Sequence, residues 1–291
     1  MSPTSFSITS NSLANGLGRT QEFLGRSIAR LSSGERILQP SDDPQGLGTL
    51  EKLDSQARRN QAASTNVQNA ISHVQATDGM IATIGNALTR LSELATRAKD
   101  PLQSPEDVAL YQEEFQSVLQ QLRDTVGGTT AEIGGSSDVS DPIGVFNGRQ
   151  LFGGGGGLIV NVGPLPEQTV TLPASDFRSG ALAALITQDA SGEFLLRVDD
   201  QSAVSALGGA IDHVASERAE IGAVQSRFVL LSQTLTVEGE NLGAAVSRIR
   251  DADVATETTQ LTKLKLLGEM GTAMLTQANQ SPKSVLRLLE G

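Results

Sequence analysis

The sequence predicts a mainly α protein: a long antiparallel helical bundle or coiled coil with a small central β-hairpin region. Three observations carry that expectation. Apolar residues recur every seven positions through two long segments, both chain ends hold shorter amphipathic stripes, and a glycine-rich centre encloses two β-rich runs. Halves placed symmetrically about a central hairpin can fold back on each other as one antiparallel bundle.

From the N-terminus, Leu13, Leu17, Leu24, Ile28 and Leu31 lie on one face of a helix that Gly34 stops. Ser41-Asp42-Asp43-Pro44 marks the next start, where an Asp can accept from exposed backbone N–H groups and Pro tolerates the first turn. The helix from Leu47 to Ala98 carries Val67, Val74, Ile81, Leu88 and Ala95 at heptad spacing, joined by Ile71, Ile84 and Leu91. Asp100-Pro101 ends it. Ser104-Pro105-Glu106-Asp107 then reads as a capped N-terminus leading into Phe115, Val118, Leu119, Leu122 and Val126, a third helix antiparallel to the second.

Residues 126–157 are rich in Gly, Ser and Asp, and Gly153 to Gly157 is an unbroken glycine run expected to be a flexible link. Leu158 to Val162 and Gln168 to Leu172 read as strands of a hairpin around a Gly/Pro turn, with Glu193 to Val198 a third candidate strand. The clearest periodicity follows. Leu207, Val214, Ile221, Phe228, Leu235, Leu242 and Ile249 hold perfect heptad register, which demands one helix of roughly 70 Å sharing its stripe with partners. Leu261, Leu264, Leu267, Met270, Met274 and Ala278 form the C-terminal stripe, after which Ser281-Pro282 is expected to restart a short helix through Val285, Leu286, Leu288 and Leu289. Isolated helices are marginal in water, so both terminal helices await partners.

Composition removes several function classes. The chain of 291 residues has no Cys, so disulfides, thiol nucleophiles and Cys-ligated metals are excluded. Its 22 Lys plus Arg against 33 Asp plus Glu give a net charge of −11, with no basic stripe for nucleic acid or anionic lipid. Nine aromatics and no Trp leave the core to aliphatic residues. Met1 to Ser10 lack the basic and apolar blocks of a Sec-type signal, and no run suits a membrane span, so a soluble chain using another exit route is expected. His73 and His213 could be brought together by neighbouring helices, but no acidic or Cys spacing completes a ligand set, so no metal site is expected. The glycine run lacks the Gly-Lys-Ser/Thr ending of a phosphate loop, and no nucleophile elbow occurs. Neither a cofactor nor enzyme activity is expected.

Several blocks are then familiar. Arg30-Leu31-Ser32-Ser33-Gly34-Glu35-Arg36-Ile37, Leu91-Ser92-Glu93-Leu94-Ala95 and Phe146-Asn147-Gly148 resemble the N-terminal motifs of bacterial flagellin. Ile221 to Phe228, Ser247 to Glu257 and Gly271 to Pro282 are similar to its C-terminal blocks. The resemblance spans residues 5–150 and 205–291 in family order, and the short centre marks a minimal form without large outer domains. Gln39-Pro40-Ser41-Asp42-Asp43-Pro44 is closer to the related hook-filament junction protein.

The resemblance implies an exported, extracellular subunit that polymerises into the flagellar filament for motility, with terminal helices ordering on assembly. It implies an inner coiled coil of residues 1–43 and 251–291 built on Leu17, Leu24, Ile28, Leu31, Leu264, Leu267, Met274 and Leu275. A surrounding shell would comprise helices in 44–135, the glycine-rich link and hairpin in 136–201, and the long helix 202–250, sharing the seam Val67, Val74, Ile81, Leu88 and Leu207 through Ile249. Implied partners are further copies of the chain, the hook-filament junction protein, a filament cap protein, an export chaperone at the C-terminal helix, and a host innate immune receptor at Arg90, Leu94 and Glu114. The Ser/Thr/Asn-rich start, with Phe6 and Ile8, resembles the disordered leading segment of type III export substrates. The alternatives are the junction protein itself and, less favoured because a glycine-rich β insert would interrupt its seam, a cytoplasmic signalling coiled coil.

Overall fold

A computed structural model describes residues 3–153 and 156–289. The elements run α1 (Pro3–Ser33), α2 (Pro44–Ala98), α3 (Pro105–Val126), α4 (Thr130–Ile133), β1 (Val145–Phe146), β2 (Arg149–Gln150), β3 (Leu158–Asn161), β4 (Thr169–Leu172), α5 (Gly180–Ile186), α6 (Ala203–Arg250) and α7 (Val254–Leu289). No helix among the described residues is long and apolar enough to cross a membrane. Contacts divide the chain into one unit of Met1–Ala57 with Glu240–Gly291 and another of Arg58–Gly239.

In the 58–239 unit the heptad positions are core. Val67, Val74, Ile81 and Leu88 of α2 are fully buried, as are Leu207 and Phe228 of α6, with Ile221, Leu235 and Val214 nearly so. The two helices run antiparallel. Lys99, Gly85, Asp78 and Asn60 on or beside α2 meet Gln201, Val214, Arg218 and Gly239 in turn, one number falling as the other rises. Helix α3 starts at a capping box in which Ser104 and Asp107 satisfy each other's backbone N–H groups, as the sequence signals. Phe115, Leu119, Leu122 and Val126 bring its apolar stripe into the same core. Arg90 of α2 contacts Glu114 of α3, residues placed on either side of the 99–104 turn, so α3 is antiparallel to α2.

The centre departs from the expected single hairpin. Strands β3 and β4 pair antiparallel, Leu158 opposite Leu172 and Asn161 opposite Thr169. A second, smaller hairpin joins β1 to β2 through Asn147-Gly148, both at positive φ (50° and 73°), the conformation that makes Asn-Gly a tight hairpin turn. The segment expected as a third strand, Glu193 to Val198, is not one. Phe194 and Val198 do point inward, but its backbone is used otherwise: Leu195 N–H bonds Thr187 at 3.2 Å, Val198 N–H bonds the Gln112 side chain at 2.7 Å, and only an isolated bridge joins Phe194 to Gln188. Of the glycine run expected as a link, Gly154 and Gly155 lie outside the described residues.

Two arginines, Arg123 buried and Arg178 partly so, knit this centre. The Arg123 guanidinium, 2% exposed, donates to the carbonyls of Ile133 (2.7 Å), Gly134 (2.6 Å), Ser137 (3.3 Å) and Ile186 (3.1 Å). Arg178 donates to Val126 C=O at 3.2 Å and to the Gln150 side chain at 2.6 Å.

In the other unit α1 begins at Pro3, well before Leu13, and stops at Gly34 (φ 74°). Its helical backbone includes the start expected to resemble a disordered leading segment, though the Phe6 and Ile8 side chains lie outside the described ones. Helix α7 continues through Pro282 to Leu289 rather than restarting there, with the backbone still helical despite the N–H that proline lacks. The side chains of Val285, Leu286, Leu288 and Leu289 lie outside those described.

Candidate assembly surfaces

Within the unit of residues 1–57 and 240–291, α1 and α7 pack antiparallel: Leu17 meets Gly271, while Ser27 Oγ donates to Glu257 Oε1 at 2.6 Å. Gly271 has no Cβ, which lets Leu17 approach the α7 backbone. Polar ties cluster where the helices join the linkers. Arg36 N–H bonds the Arg250 carbonyl at 2.6 Å and Ala252 N–H bonds Gly34 at 2.8 Å, a bridge between the two linkers. The Arg36 guanidinium donates twice to Ile249 C=O (3.1 and 2.9 Å), satisfying a carbonyl at the end of α6 that has no intrahelical partner.

Among the described side chains of α1 and α7, the only fully buried residue is Ser27, and no apolar residue is. Leu17, Leu24, Leu31, Leu264 and Leu275 are half-buried between the two helices. The remaining positions expected to line an inner coiled coil turn outward: Ile28 is 49%, Leu267 45% and Met274 55% exposed, joined by Phe23, Leu266 and Met270. A helix pair can bury one stripe on each member; on α7 Leu266, Leu267, Met270 and Met274 fall within about 100° of one another and make a second, exposed apolar stripe, while on α1 Phe23 and Ile28 flank the buried stripe, Phe23 beneath the Arg26 guanidinium at 4.8 Å. Leu242, also in this unit, is 8% exposed, and Ile249 is half-buried.

Carboxylates of the linker region are held below their ordinary range by hydrogen bonds. Backbone N–H groups of Leu38 and Gln39 do this to Asp42, the Ser247 hydroxyl and then Arg250 to Asp251, and the Thr256 hydroxyl and backbone to Asp253. Depressed carboxylates stabilise the fold above their unfolded pKa near 3.8, and that contribution disappears as pH falls through the lower folded values. Amides of residues 34–44 and 250–256 are therefore expected to keep hydrogen-exchange protection at pH 5 and to lose it progressively below about pH 4. Unchanged protection at pH 2 would contradict this.

In the 58–239 unit, Arg90 donates to Glu114 Oε1 through Nε (2.7 Å) and a terminal nitrogen (2.5 Å), and to Glu93 at 3.2 Å. These carboxylates raise the Arg90 pKa, the hydrogen bonds to Glu114 first. Leu94 is fully buried in the core beneath this surface network. The histidines serve packing. His73 meets Phe146 edge-on at 5.8 Å and His213 meets Phe177 at 5.6 Å. With Gly85 opposite Val214, His73 and His213 lie about 20 Å apart along the bundle. Among the described residues no group of three His, Asp or Glu side chains could hold a metal ion.

The bacterial flagellin N-terminal helical region matches residues 5–132 and the bacterial flagellin C-terminal helical region matches residues 204–289. The chain belongs to the bacterial flagellin family. It is 31% identical to Flagellin FlaB1 of Treponema pallidum over 283 residues, which cover 94% of each chain. Flagellin of Bacillus subtilis is 32% identical, covering 94% of this chain and 95% of its own. The flagellar filament 33 kDa core protein of Treponema phagedenis is also 32% identical, over 94% of each. The two family regions take in all of α2 and α3 and all of α6 but Ala203, and the unmatched stretch between them is the compact centre holding both hairpins. Sequence reasoning missed the Asn147-Gly148 hairpin, although the Asn-Gly dipeptide between Phe146 and Arg149 is its ordinary signal.

Proposed function

We propose that this flagellin-family chain is a structural subunit of a bacterial flagellar filament, exported from the cell and polymerised there for motility. The observation that carries the reading is the α1–α7 pair, whose described side chains include no buried apolar residue and which turns Phe23, Ile28, Leu267, Met270 and Met274 to solvent. Neighbouring copies would bury that stripe, so assembly supplies the free energy that ordering the terminal helices costs. A repeated head-to-tail contact that does not close yields an open helical polymer. The names of similar proteins, flagellin and flagellar filament core protein, support the same reading.

In this proposal residues 1–43 and 251–291 line the inner tube and 44–250 form the shell, whose role is mechanical rather than catalytic. The junction protein meets the filament at its base and a cap protein at its tip. An export chaperone takes the exposed Leu266, Met270 and Met274 face of α7 before assembly, and export proceeds without a cleaved signal peptide. The Arg90 and Glu114 pair presents the surface that a host innate immune receptor reads, with Leu94 supporting it from below. Arg90→Ala combined with Glu114→Ala is expected to reduce receptor activation by the monomer while leaving its helicity unchanged; undiminished activation would remove this role.

Seeded polymerisation tests the central claim. Purified monomer mixed with sheared filament fragments or a precipitating salt is expected to give long filaments by electron microscopy. Monomers or short rings alone would overturn the reading in favour of the junction protein.

A further inference from the structure

The small hairpin β3–β4 has an open edge, and the hydrogen-bond parity shows where it faces. Val162 N–H donates to Gln168 C=O at 2.8 Å just beyond the paired residues, so the backbone groups of Val160 and Leu158 point into the hairpin. Those of Ile159 and Asn161 point away from it. The outward Asn161 carbonyl accepts from Asn66 Nδ2 of α2 at 3.4 Å, which places the open edge opposite α2. Between them lies a groove of about 930 Å³, lined also by Phe146, Asn147 and Arg149 of the smaller hairpin.

The groove's chemistry is unlike the rest of the chain. The protein has 33 acidic residues, yet none lines the groove, whose only ionisable side chains are His73 and Arg149. Burial, then the charge of Arg149, lowers the His73 pKa and favours its neutral form. The Arg149 side chain is exposed and has no hydrogen bond or ion pair among the described residues, its backbone alone being paired with Phe146. Both ring nitrogens of His73 are buried without a partner. Ile159, 72% exposed, leaves an apolar side chain beside unpaired strand groups.

We propose that this groove binds an extended acidic peptide segment of a partner protein, which adds as a strand to the open edge of β3 and sets a carboxylate on Arg149. The outward N–H and C=O of Ile159 and the N–H of Asn161, about 6.8 Å along the strand, fit a peptide backbone rather than a compact small molecule, and the long Asn66 bond to the Asn161 carbonyl would give way to the added strand. The single free cation in an acid-free groove selects the sign of the partner. Four residues of β3 limit the added strand to about 13 Å, so the contact is short and its affinity modest.

The probe is a labelled peptide, acetyl-Glu-Val-Thr-Val-Thr-Val-amide, titrated into the full-length monomer with amide shifts read by NMR. The largest shifts are expected at Ile159 and Asn161. Replacing the peptide's Glu with Lys, or making Arg149→Ser in the protein, should weaken binding about tenfold. The Arg149 side chain holds no partner among the described residues, so the variant is expected to keep its hairpin shifts. A version N-methylated at alternate residues should not bind. Absence of binding, equal binding of the Lys peptide, or shifts away from β3 would overturn the proposal. So would the same shifts appearing with protein concentration and no peptide, which would assign the groove to a second copy of the chain.

Discussion

Leu267→Asp and Met270→Asp are expected to abolish filament growth while leaving the monomer folded. Both side chains are about half exposed in the subunit, at 45% and 55%, so an aspartate at either position stays solvated and should change monomer stability by no more than about 0.5 kcal/mol. In the polymer the same positions would be covered. Burying an unpaired carboxylate costs several kcal/mol, and even about 3 kcal/mol raises the concentration needed for growth by more than a hundredfold. Placement on the helix supplies the control. Leu267, Met270 and Met274 follow one face of α7, whereas Lys265, Glu269, Thr272 and Thr276 occupy another, so Thr272→Asp should polymerise nearly as well as the parent. Seeded assembly with sedimentation, run beside far-UV circular dichroism of the monomer, separates the outcomes. Normal filaments from Leu267→Asp and Met270→Asp would mean that the stripe is not an assembly surface; loss of monomer helicity would mean that it belongs to the subunit's own core.

Leu24→Asp makes a different disturbance. Leu24 is already half-buried against α7, so its substitution loosens the helix pair as well as its outer face. The periodic stripe alone does not distinguish these cases. Leu24 and Ile28 occupy equivalent steps along α1, yet one turns toward α7 and the other outward, because a helix stripe is wide enough to serve two neighbours. What the spacing did reveal is which residues are apolar-facing at all. The heptad positions Val67 to Leu88 and Leu207 to Leu235 could be read directly because their burial is completed inside one subunit, where period and packing agree.

Elsewhere tertiary demand overrode local pattern. Glu193 to Val198 alternates as a strand would, but its hydrogen bonds go to Thr187 and Gln112, so alternation reports burial without pairing. Residues 127–144 carry neither helical nor strand periodicity. Their course depends on side chains that reach them from other elements, Arg123 above all. Arg123 stands four residues after Leu119 on the apolar stripe of α3, a position where a cation signals a buried partner set; as a last-turn residue it also suits the helix dipole, and that milder reading hides the first.

Arg123→Leu is accordingly expected to be the most damaging single change in the 58–239 unit. The guanidinium serves four carbonyls from three stretches of chain, Ile133 and Gly134 at the end of α4, Ser137 in the following loop, and Ile186 at the end of α5. Burial lowers its pKa, with the Asp124 charge acting in the opposite direction, so the arginine is held in an environment that disfavours its charge. Replacing it with a similar apolar volume removes the cost of burying a cation but leaves carbonyls without donors, each at about 1–3 kcal/mol if water cannot reach it. Taking about 3 kcal/mol net, the melting temperature of a unit this size should fall by about 6–12 °C. Arg123→Lys should lie between, since an ammonium carries three donors in place of the planar fork. Arg218→Ala, which breaks a half-exposed pair with Asp78 at 2.8 Å, supplies the comparison and should cost no more than about 1 kcal/mol. Hydrogen exchange distinguishes a local from a global effect: amides of residues 127–144 and 186–189 should lose protection first, with α2 and α6 following only near the melt. A melt of Arg123→Leu within about 2 °C of the parent would show that water or a shifted backbone satisfies the four carbonyls, and that packing of the apolar core alone fixes the centre.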